Sequence, residues 1–251
     1  MVKYADKLAA ALGLAYNPVA VFYSETPPEG AMKFKRCGAG CVLALFKAVQ
    51  KDMPAVVSAE AYGCYGGGFY LGYRDTIFDN FPAFLSTGLE GRFEGEGFKK
   101  TPALAEVFFE EAAKRPPAPH RYCVFKPLSQ LAPGETPEVV IYLVNADQLS
   151  ALVTLANYAR PSNDNVIVRF AAGCQSLVAL PRLEARREIP RAVIGLVDVS
   201  TRHYFPPDTL SFSVPYSMYL ELLDNVAGSF LEKPDWLNLK RQWVKESTCG
   251  G

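Results

Sequence analysis

The segment Glu138-Val139-Val140-Ile141-Tyr142-Leu143-Val144 carries six apolar residues in a row after its first position. A strand with one face in water alternates between apolar and polar residues, so this uninterrupted run predicts a strand that is buried on both faces. Asp147 follows shortly after and is expected to cap a helix that ends near Tyr158. The segment therefore predicts an interior strand of a sheet, followed by a helix.

Comparable patterns occur on both sides of this segment. Apolar and β-branched runs predict further strands at 19–23, 54–59, 121–125, 166–170, 192–197 and 210–213. Apolar residues at helical spacing predict helices at 3–14, 41–49, 75–85, 101–112, 147–158, 215–226 and 236–245, and residues 61–72 are expected to form a glycine-rich turn. Strands that alternate with helices indicate an α/β or α+β fold, built on a mixed central sheet with helices on both faces.

The length of 251 residues is enough for a substantial core, because a chain of this size buries about three quarters of its unfolded surface. We expect residues 1–251 to form a single globular domain. Pro116-Pro117 leaves open an alternative of two closely packed lobes with a boundary near 115–119. Residues 229–251 are expected to form a C-terminal cap and a tail.

The charge balance is neutral, with 26 Lys plus Arg against 26 Asp plus Glu. A neutral chain has no overall attraction for nucleic acid or for an anionic membrane, so neither is expected as a partner. The N-terminus lacks the apolar segment of a signal peptide, and no apolar run is long enough to span a membrane. These features predict a cytoplasmic protein, in which cysteines more often bind metal or take part in catalysis than form disulfides.

Cysteines flanked by glycines occur in three separate segments. Cys37 and Cys41 lie in Lys-Arg-Cys-Gly-Ala-Gly-Cys, Cys64 lies in Gly-Cys-Tyr-Gly-Gly-Gly, and Cys174 lies in Ala-Ala-Gly-Cys-Gln-Ser. Cys64 and Cys174 each follow a predicted strand, at the end where ligands bind in such folds. Iron–sulfur clusters are usually held by four thiolates, so these four cysteines predict a [4Fe–4S]-type cluster.

Glycines next to these thiols let the backbone N–H groups approach a bulky anionic group. The run around Cys64 is expected to form such a backbone nest. The residues that we expect to contact the cofactor through the backbone are Gly38, Gly63, Gly66, Gly67 and Gly173.

Other interpretations of the cysteines stay open. Zinc also binds four thiolates, but its structural sites use two paired cysteine motifs and this chain has one pair at most. Cys37 and Cys41 could instead exchange between thiol and disulfide, or the thiols could be small buried hydrophobic groups. We expect Cys123 to lie in the core and Cys249 in a terminal tail, while His120 and His203 show no metal-type spacing.

The order of motifs resembles the uncharacterised family called domain of unknown function 169, which is common in anaerobic bacteria and archaea. The similarity covers roughly residues 3 to 228 and includes Gly-Cys-Tyr-Gly-Gly-Gly, Pro-Glu-Val-Val-Ile-Tyr and Gly-Cys-x5-Leu-Pro. The recurrent cysteines of the family match Cys37 or Cys41, Cys64 and Cys174. Members often carry a later Gly-Cys-x2-Cys, where this chain reads Gly195-Leu196-Val197-Asp198-Val199. The resemblance implies a redox-linked cofactor bound by cysteines, with Cys41 as the fourth ligand.

Together these features predict an iron–sulfur protein of electron transfer, or an oxidoreductase that reduces a small molecule in an adjoining pocket. The partners that this prediction suggests are a small-molecule ligand and a protein that exchanges electrons with the cluster. The alternative is a metal-free module that binds a small ligand or senses redox state through its thiols.

Overall fold

The computed structural model describes the backbone of residues 2–249 and the side chains of residues 7–243. In this part of the chain the strands are β1 (Val19–Ser24), β2 (Met32–Lys33), β3 (Ala55–Ser58), β4 (Gly88–Leu89), β5 (Phe93–Glu94), β6 (Tyr122–Pro127), β7 (Val139–Val144), β8 (Val166–Val168), β9 (Ala192–Gly195) and β10 (Leu210–Pro215). The α-helices are α1 (Val2–Leu12), α2 (Phe46–Val49), α3 (Tyr65–Tyr70), α4 (Phe81–Phe84), α5 (Pro102–Ala113), α6 (Ala146–Asn157), α7 (Leu180–Glu184), α8 (Tyr216–Asp224) and α9 (Pro234–Cys249). The 3₁₀ helices cover Val42–Leu45, Leu128–Gln130, Val199–Tyr204 and Phe230–Glu232, and a π-helix covers Gln175–Ala179.

Eight strands form one sheet in the order β2-β3-β6-β1-β7-β10-β9-β8, and β4 pairs with β5 in a separate hairpin. The β2–β3 and β8–β9 pairs are parallel, whereas the other pairs in the large sheet are antiparallel. The predicted mixed central sheet is therefore confirmed. Because β1 pairs with both β6 and β7, strands from both sides of residues 115–119 belong to this sheet.

Strand β7 is the interior strand that the apolar run predicted. It lies between β1 and β10, and all six of its residues are buried. Val140, Tyr142 and Val144 point into one core, while Val139, Ile141 and Leu143 point into the other. Helices therefore cover both faces of the sheet, as expected.

The two faces are covered in different ways. The packed face lies beneath α1, α6, α8 and α9, which contribute Leu12, Leu152, Met218 and Trp236 to its core. The cavity face lies mainly beneath shorter elements, which are the 3₁₀ helix Val42–Leu45, α2, α3 and the π-helix Gln175–Ala179, and α5 adds Ala112 to the same core. The candidate site is on the cavity face.

Two local predictions outside the cysteine segments were wrong. Between residues 75 and 85 the only α-helix is α4, because Asn80 adopts the left-handed conformation (φ 62°) and interrupts any longer helix. The cap of α6 is Asn145 and not Asp147: the Asn145 side chain accepts from the backbone of Gln148, whose side chain accepts from the backbone of Asn145. This reciprocal pair is a capping box.

None of the helices in residues 2–249 combines the length and the apolar character needed to cross a membrane.

Candidate functional site

Cys64 caps the N-terminus of α3. Its sulfur accepts a hydrogen bond from the backbone N–H of Gly67 at 3.2 Å, in the way that a serine oxygen caps other helices. The glycine-rich segment 61–72, predicted as a turn, thus contains a short helix. Gly67 has to be glycine because a Cβ there would lie 2.6 Å from Val42 Cγ2 and 3.1 Å from the carbonyl oxygen of Tyr62.

Cys41 lies directly before the 3₁₀ helix Val42–Leu45, half-buried and in contact with Cys64. The hydrogen bond between the two thiols raises the pKa of Cys41 and lowers the pKa of Cys64. The backbone N–H groups of Gly67 and Val42 lower the pKa of Cys64 further, against the effect of burial. The two thiols therefore titrate as a pair, which loses its first proton more readily than an ordinary thiol does.

Cys174 approaches from a third direction, at the start of the π-helix Gln175–Ala179. It is buried, and burial followed by the charges of Cys64 and Asp198 raises its pKa. Gly173, next to it, packs so closely that a Cβ would lie 2.4 Å from Leu43 Cδ1. This close packing brings the segments of Cys41 and Cys174 together.

The three thiols do not meet in the way that the strand ends suggested. Cys64 follows β3 and Cys174 follows β8, but these strands run in opposite directions and stand six places apart in the sheet. Six spacings between neighbouring strands separate β3 from β8 by roughly 29 Å across the sheet. The segments after the two strands instead cross the cavity face and meet above the sheet, where α3 contacts the π-helix Gln175–Ala179.

Cys37 lies outside this group. Its Sγ donates to the carbonyl oxygen of Ala59 at 3.5 Å, and its backbone forms a parallel bridge with Gly63. Gly38 donates to Gly63 at 2.5 Å in the same pairing. Thus Cys37, Gly38 and Gly63 hold the Cys64 segment in place, but they do not line the cavity described next.

A cavity of about 450 Å³ opens beside the other three cysteines. Its volume is in the range of small-molecule sites. One end is formed by thiols and glycines, and the rest is formed mainly by aromatic rings. The lining residues used below are Cys41, Cys64, Gly66, Tyr70, Phe78, Phe81, Phe84, Glu96, Phe98, Phe108, Phe170, Gly173, Cys174, Asp198, Ser200, His203 and Tyr204.

Asp198 and His203 are cavity residues that the sequence did not identify. Asp198 caps the 3₁₀ helix Val199–Tyr204: its carboxylate accepts from the N–H and hydroxyl of Ser200 and from the N–H of Gly173. The Asp-Val-Ser pattern is a recognisable cap signal and could have indicated this turn, although not its place beside Cys174. His203 is exposed at the cavity, whereas His120 pairs with Glu25 at 2.9 Å elsewhere.

Tyr70 contributes a buried hydroxyl to the cavity wall. The side chain is 1% exposed, and its oxygen has no hydrogen-bond partner among the residues that the structure describes. Burial, followed by the charges of Cys174 and Asp198, raises the pKa of Tyr70. The phenol is therefore protonated and available as a donor at neutral pH.

The remaining thiols have separate surroundings. Cys123 is fully buried in β6, as expected, and the side chain of Cys249 lies outside the described residues. Within the described part of the chain, no group of three or more His, Cys, Asp or Glu side chains is arranged to hold a metal ion.

A search of curated proteins and a search of solved structures each gave no match to this chain. A family match does exist, and it covers residues 7–225, which include the whole large sheet and every cavity residue named above. The resemblance seen in the sequence is thereby confirmed: the chain belongs to the uncharacterised ArCR family, domain of unknown function 169.

Proposed function

We propose that this chain is an iron–sulfur protein in which Cys41, Cys64 and Cys174 supply three thiolates to one cluster. The observation that carries the proposal is that three thiols from distant segments line one end of one cavity. A dithiol redox pair needs two sulfurs, and a structural zinc site usually needs four ligands. Among the described residues the lining holds these three thiols and, as other side chains that can bind metal, Asp198 and His203. This set fits a cluster in which one iron has no cysteine ligand.

The surroundings of the sulfurs support bound thiolates. The hydrogen bond with Cys64 raises the pKa of Cys41 and burial raises that of Cys174, so both thiols need the charge of a bound metal to ionise. Backbone N–H groups act in the opposite direction: those of Leu43 and Gln175 favour the thiolates of Cys41 and Cys174, and those of Gly67 and Val42 favour that of Cys64. Hydrogen bonds to sulfur are one of the means by which proteins set the potential of a cluster. Gly66 and Gly173 border the same space without adding side chains.

Cys41, Cys64 and Cys174 would hold the cluster beside the cavity, and it would supply electrons and a Lewis acid to a small molecule bound there. The described residues contribute a mainly apolar wall, of which Phe78 and Phe170 stay partly exposed to water. We therefore favour reductive chemistry on a small molecule over electron transfer alone, with an electron-donating partner protein.

The test is anaerobic purification followed by analysis of iron and acid-labile sulfide. We expect a brown protein that absorbs at about 400 nm, which is typical of iron–sulfur clusters. Cys64→Ser and Cys174→Ser should lose the iron, whereas Cys37→Ser and Cys123→Ser should keep it and stay folded by circular dichroism. An iron-free wild-type preparation contradicts the proposal, and loss of iron in Cys37→Ser would make Cys37 a fourth ligand.

A metal-free thiol function is the second candidate, and one observation favours it. Cys41 and Cys64 are in contact, and this contact lowers the pKa of Cys64, which favours the thiolate, the reactive form of cysteine. Thiol counting on native protein separates the two candidates. Thiols that become reactive only after iron is chelated support the cluster, and thiols that react at once support redox sensing.

A further inference from the structure

The unpartnered hydroxyl of Tyr70 indicates what a ligand of the cavity has to provide. Buried hydroxyl groups in folded proteins nearly always have a hydrogen-bond partner, and an exception needs an explanation. Tyr70 lines the cavity close enough to Cys174 and Asp198 for their charges to affect it. A ligand atom that accepts a hydrogen bond would satisfy this donor.

The rings around the cavity indicate the shape of the rest of the ligand. Phe78, Phe81 and Phe84 form one group, with ring centroids 5.3 to 6.1 Å apart. Phe170 packs on Phe98 and Phe108 in a second group, at 6.0 and 5.2 Å. All six rings line the cavity, and aromatic rings pack well in stacked and edge-to-face arrangements, so the lining favours a flat aromatic ligand.

The charges of the lining disfavour one class of ligand at the cysteine end. Asp198 and Glu96 are carboxylates, and among the described residues neither Lys nor Arg lines the cavity. His203 is a lining residue, and Lys99 Nζ lies 5.3 and 5.2 Å from the ring centroids of Phe108 and Phe170. A carboxylate or phosphate group placed beside Asp198 and the thiols would be repelled by the carboxylate and would lose its water shell. The cysteine end of the cavity therefore disfavours anions.

We infer that the cavity binds a neutral, largely aromatic small molecule with one oxygen that accepts a hydrogen bond from Tyr70. The inference names the ligand class of the proposed site, and it rests on the proposed function, because a cluster at the three thiols is what gives a bound molecule its role. The acceptor oxygen would lie at the cysteine end, with the ring system among the phenylalanines.

The test is equilibrium dialysis of the full-length, anaerobically purified protein against three probes with the same ring system. 2-Naphthol carries an oxygen acceptor, naphthalene carries none, and 2-naphthoate is an anion. We expect one 2-naphthol per chain and at least about tenfold weaker binding of 2-naphthoate. Equal binding of 2-naphthoate, or no binding of 2-naphthol, would overturn the inference.

Tyr70→Phe removes only the hydroxyl, and Tyr142→Phe is its matched control. Tyr142 is also 1% exposed with an unpartnered hydroxyl among the described residues, but it points into the packed face. We expect Tyr70→Phe to weaken 2-naphthol binding about three- to tenfold, the size of one hydrogen bond, and to leave naphthalene unchanged. Tyr142→Phe should affect neither probe. If Tyr70→Phe lowers the iron content and leaves 2-naphthol binding unchanged, the hydroxyl serves the cofactor and the inference is wrong.

Phe170→Ala tests the ring cluster independently of Tyr70. Phe170 and Leu220 are both 42% exposed, and Leu220 lies on α8 outside the cavity lining, so Leu220→Ala is the control. We expect only Phe170→Ala to weaken the binding of both neutral probes; an equal effect of the two changes contradicts the inference. Iron is measured on the same samples. If the probes bind and iron is absent, the inference about the ligand stands and the cluster proposal is refuted. If iron is present and the probes do not bind, the cluster proposal stands and the inference about the ligand is wrong.

Discussion

Both faces of the central sheet are covered by other parts of the chain, but by elements of different length. On strand β10, Phe212 and Val214 point into the packed face, while Ser211 and Ser213 alternate toward the cavity face. The packed face is covered by helices of 9 to 16 residues, whereas the cavity face is covered by α2, α3 and α4, of 4 to 6 residues, together with one longer helix, α5, of 12 residues. Long helices cover the sheet with few changes of chain direction. Short elements turn the chain often, so they can present three separated thiols to one space and leave a cavity beside them.

The largest expected difference between the faces is in the cost of removing a large side chain. Leu152 is fully buried on the packed face, so Leu152→Ala should lower the free energy of unfolding by about 2–5 kcal/mol. Phe78 is already 38% exposed beside the cavity, and Phe78→Ala should cost less than about 1 kcal/mol. Urea unfolding of the iron-free proteins, followed by circular dichroism, measures both values. Equal losses would show that the cavity face is as tightly packed as the other.

A smaller effect is expected for two neighbouring glycines in α3. Gly67→Ala places a Cβ against Val42 and Tyr62, and this overpacking should cost about 1–3 kcal/mol. The nearest atom to a Cβ at Gly66 is Tyr70 Cε2 at 4.0 Å, so Gly66→Ala should raise stability by up to about 1 kcal/mol through helix propensity. Thermal unfolding of the two variants tests this. Equal changes in both would contradict the close approach at Gly67.

The smallest of these predicted effects concerns the reactivity of Cys64 in iron-free protein. The hydrogen bond from Cys41, with help from the Gly67 and Val42 N–H groups, lowers the pKa of Cys64 to about 6. Because the thiolate is the reactive form, alkylation by iodoacetamide should rise with pH through about 6 and become level by about pH 8.

Cys41→Ala removes the largest cause of this shift. The pKa of Cys64 should then rise toward that of an ordinary thiol, and alkylation at pH 7 should slow by about tenfold or more. Mass spectrometry of the Cys64 peptide gives the rate, and Cys123→Ala is the control because that thiol is fully buried and remote from the pair. An unchanged profile in Cys41→Ala would show that the contact between the two thiols does not set the reactivity of Cys64.

The accuracy of the sequence-based predictions differs between the two faces for a physical reason. The strands around β7 and the long helices of the packed face follow from hydrophobic periodicity, which local sequence carries directly. On the cavity face, the 61–72 segment and residues 75–85 were assigned incorrectly, because three consecutive glycines normally oppose a helix and Asn80 interrupts one. There the close packing of Gly67 and the left-handed conformation of Asn80 decided the outcome.

In the candidate site, too, some features could be predicted from the sequence and others could not. The glycine-flanked cysteines could be selected from the sequence, and Cys41, Cys64 and Cys174 do line one cavity. The separation of Cys37, the contributions of Asp198 and Tyr70 and the ring clusters could not be selected. They depend on which residues from distant segments meet above the sheet, and sequence spacing holds no information on such contacts.

Composition, apolar runs and cysteine context were sufficient to establish a mixed sheet with helices on both faces and to identify the thiols as the residues of interest. These are local properties, since strand burial and residue type can be read within a few positions of the chain. Tertiary structure alone decided that the thiols meet on the cavity face. The carboxyl ends of β3 and β8 point in opposite directions, so only the crossing of their connecting segments could bring Cys64 and Cys174 together.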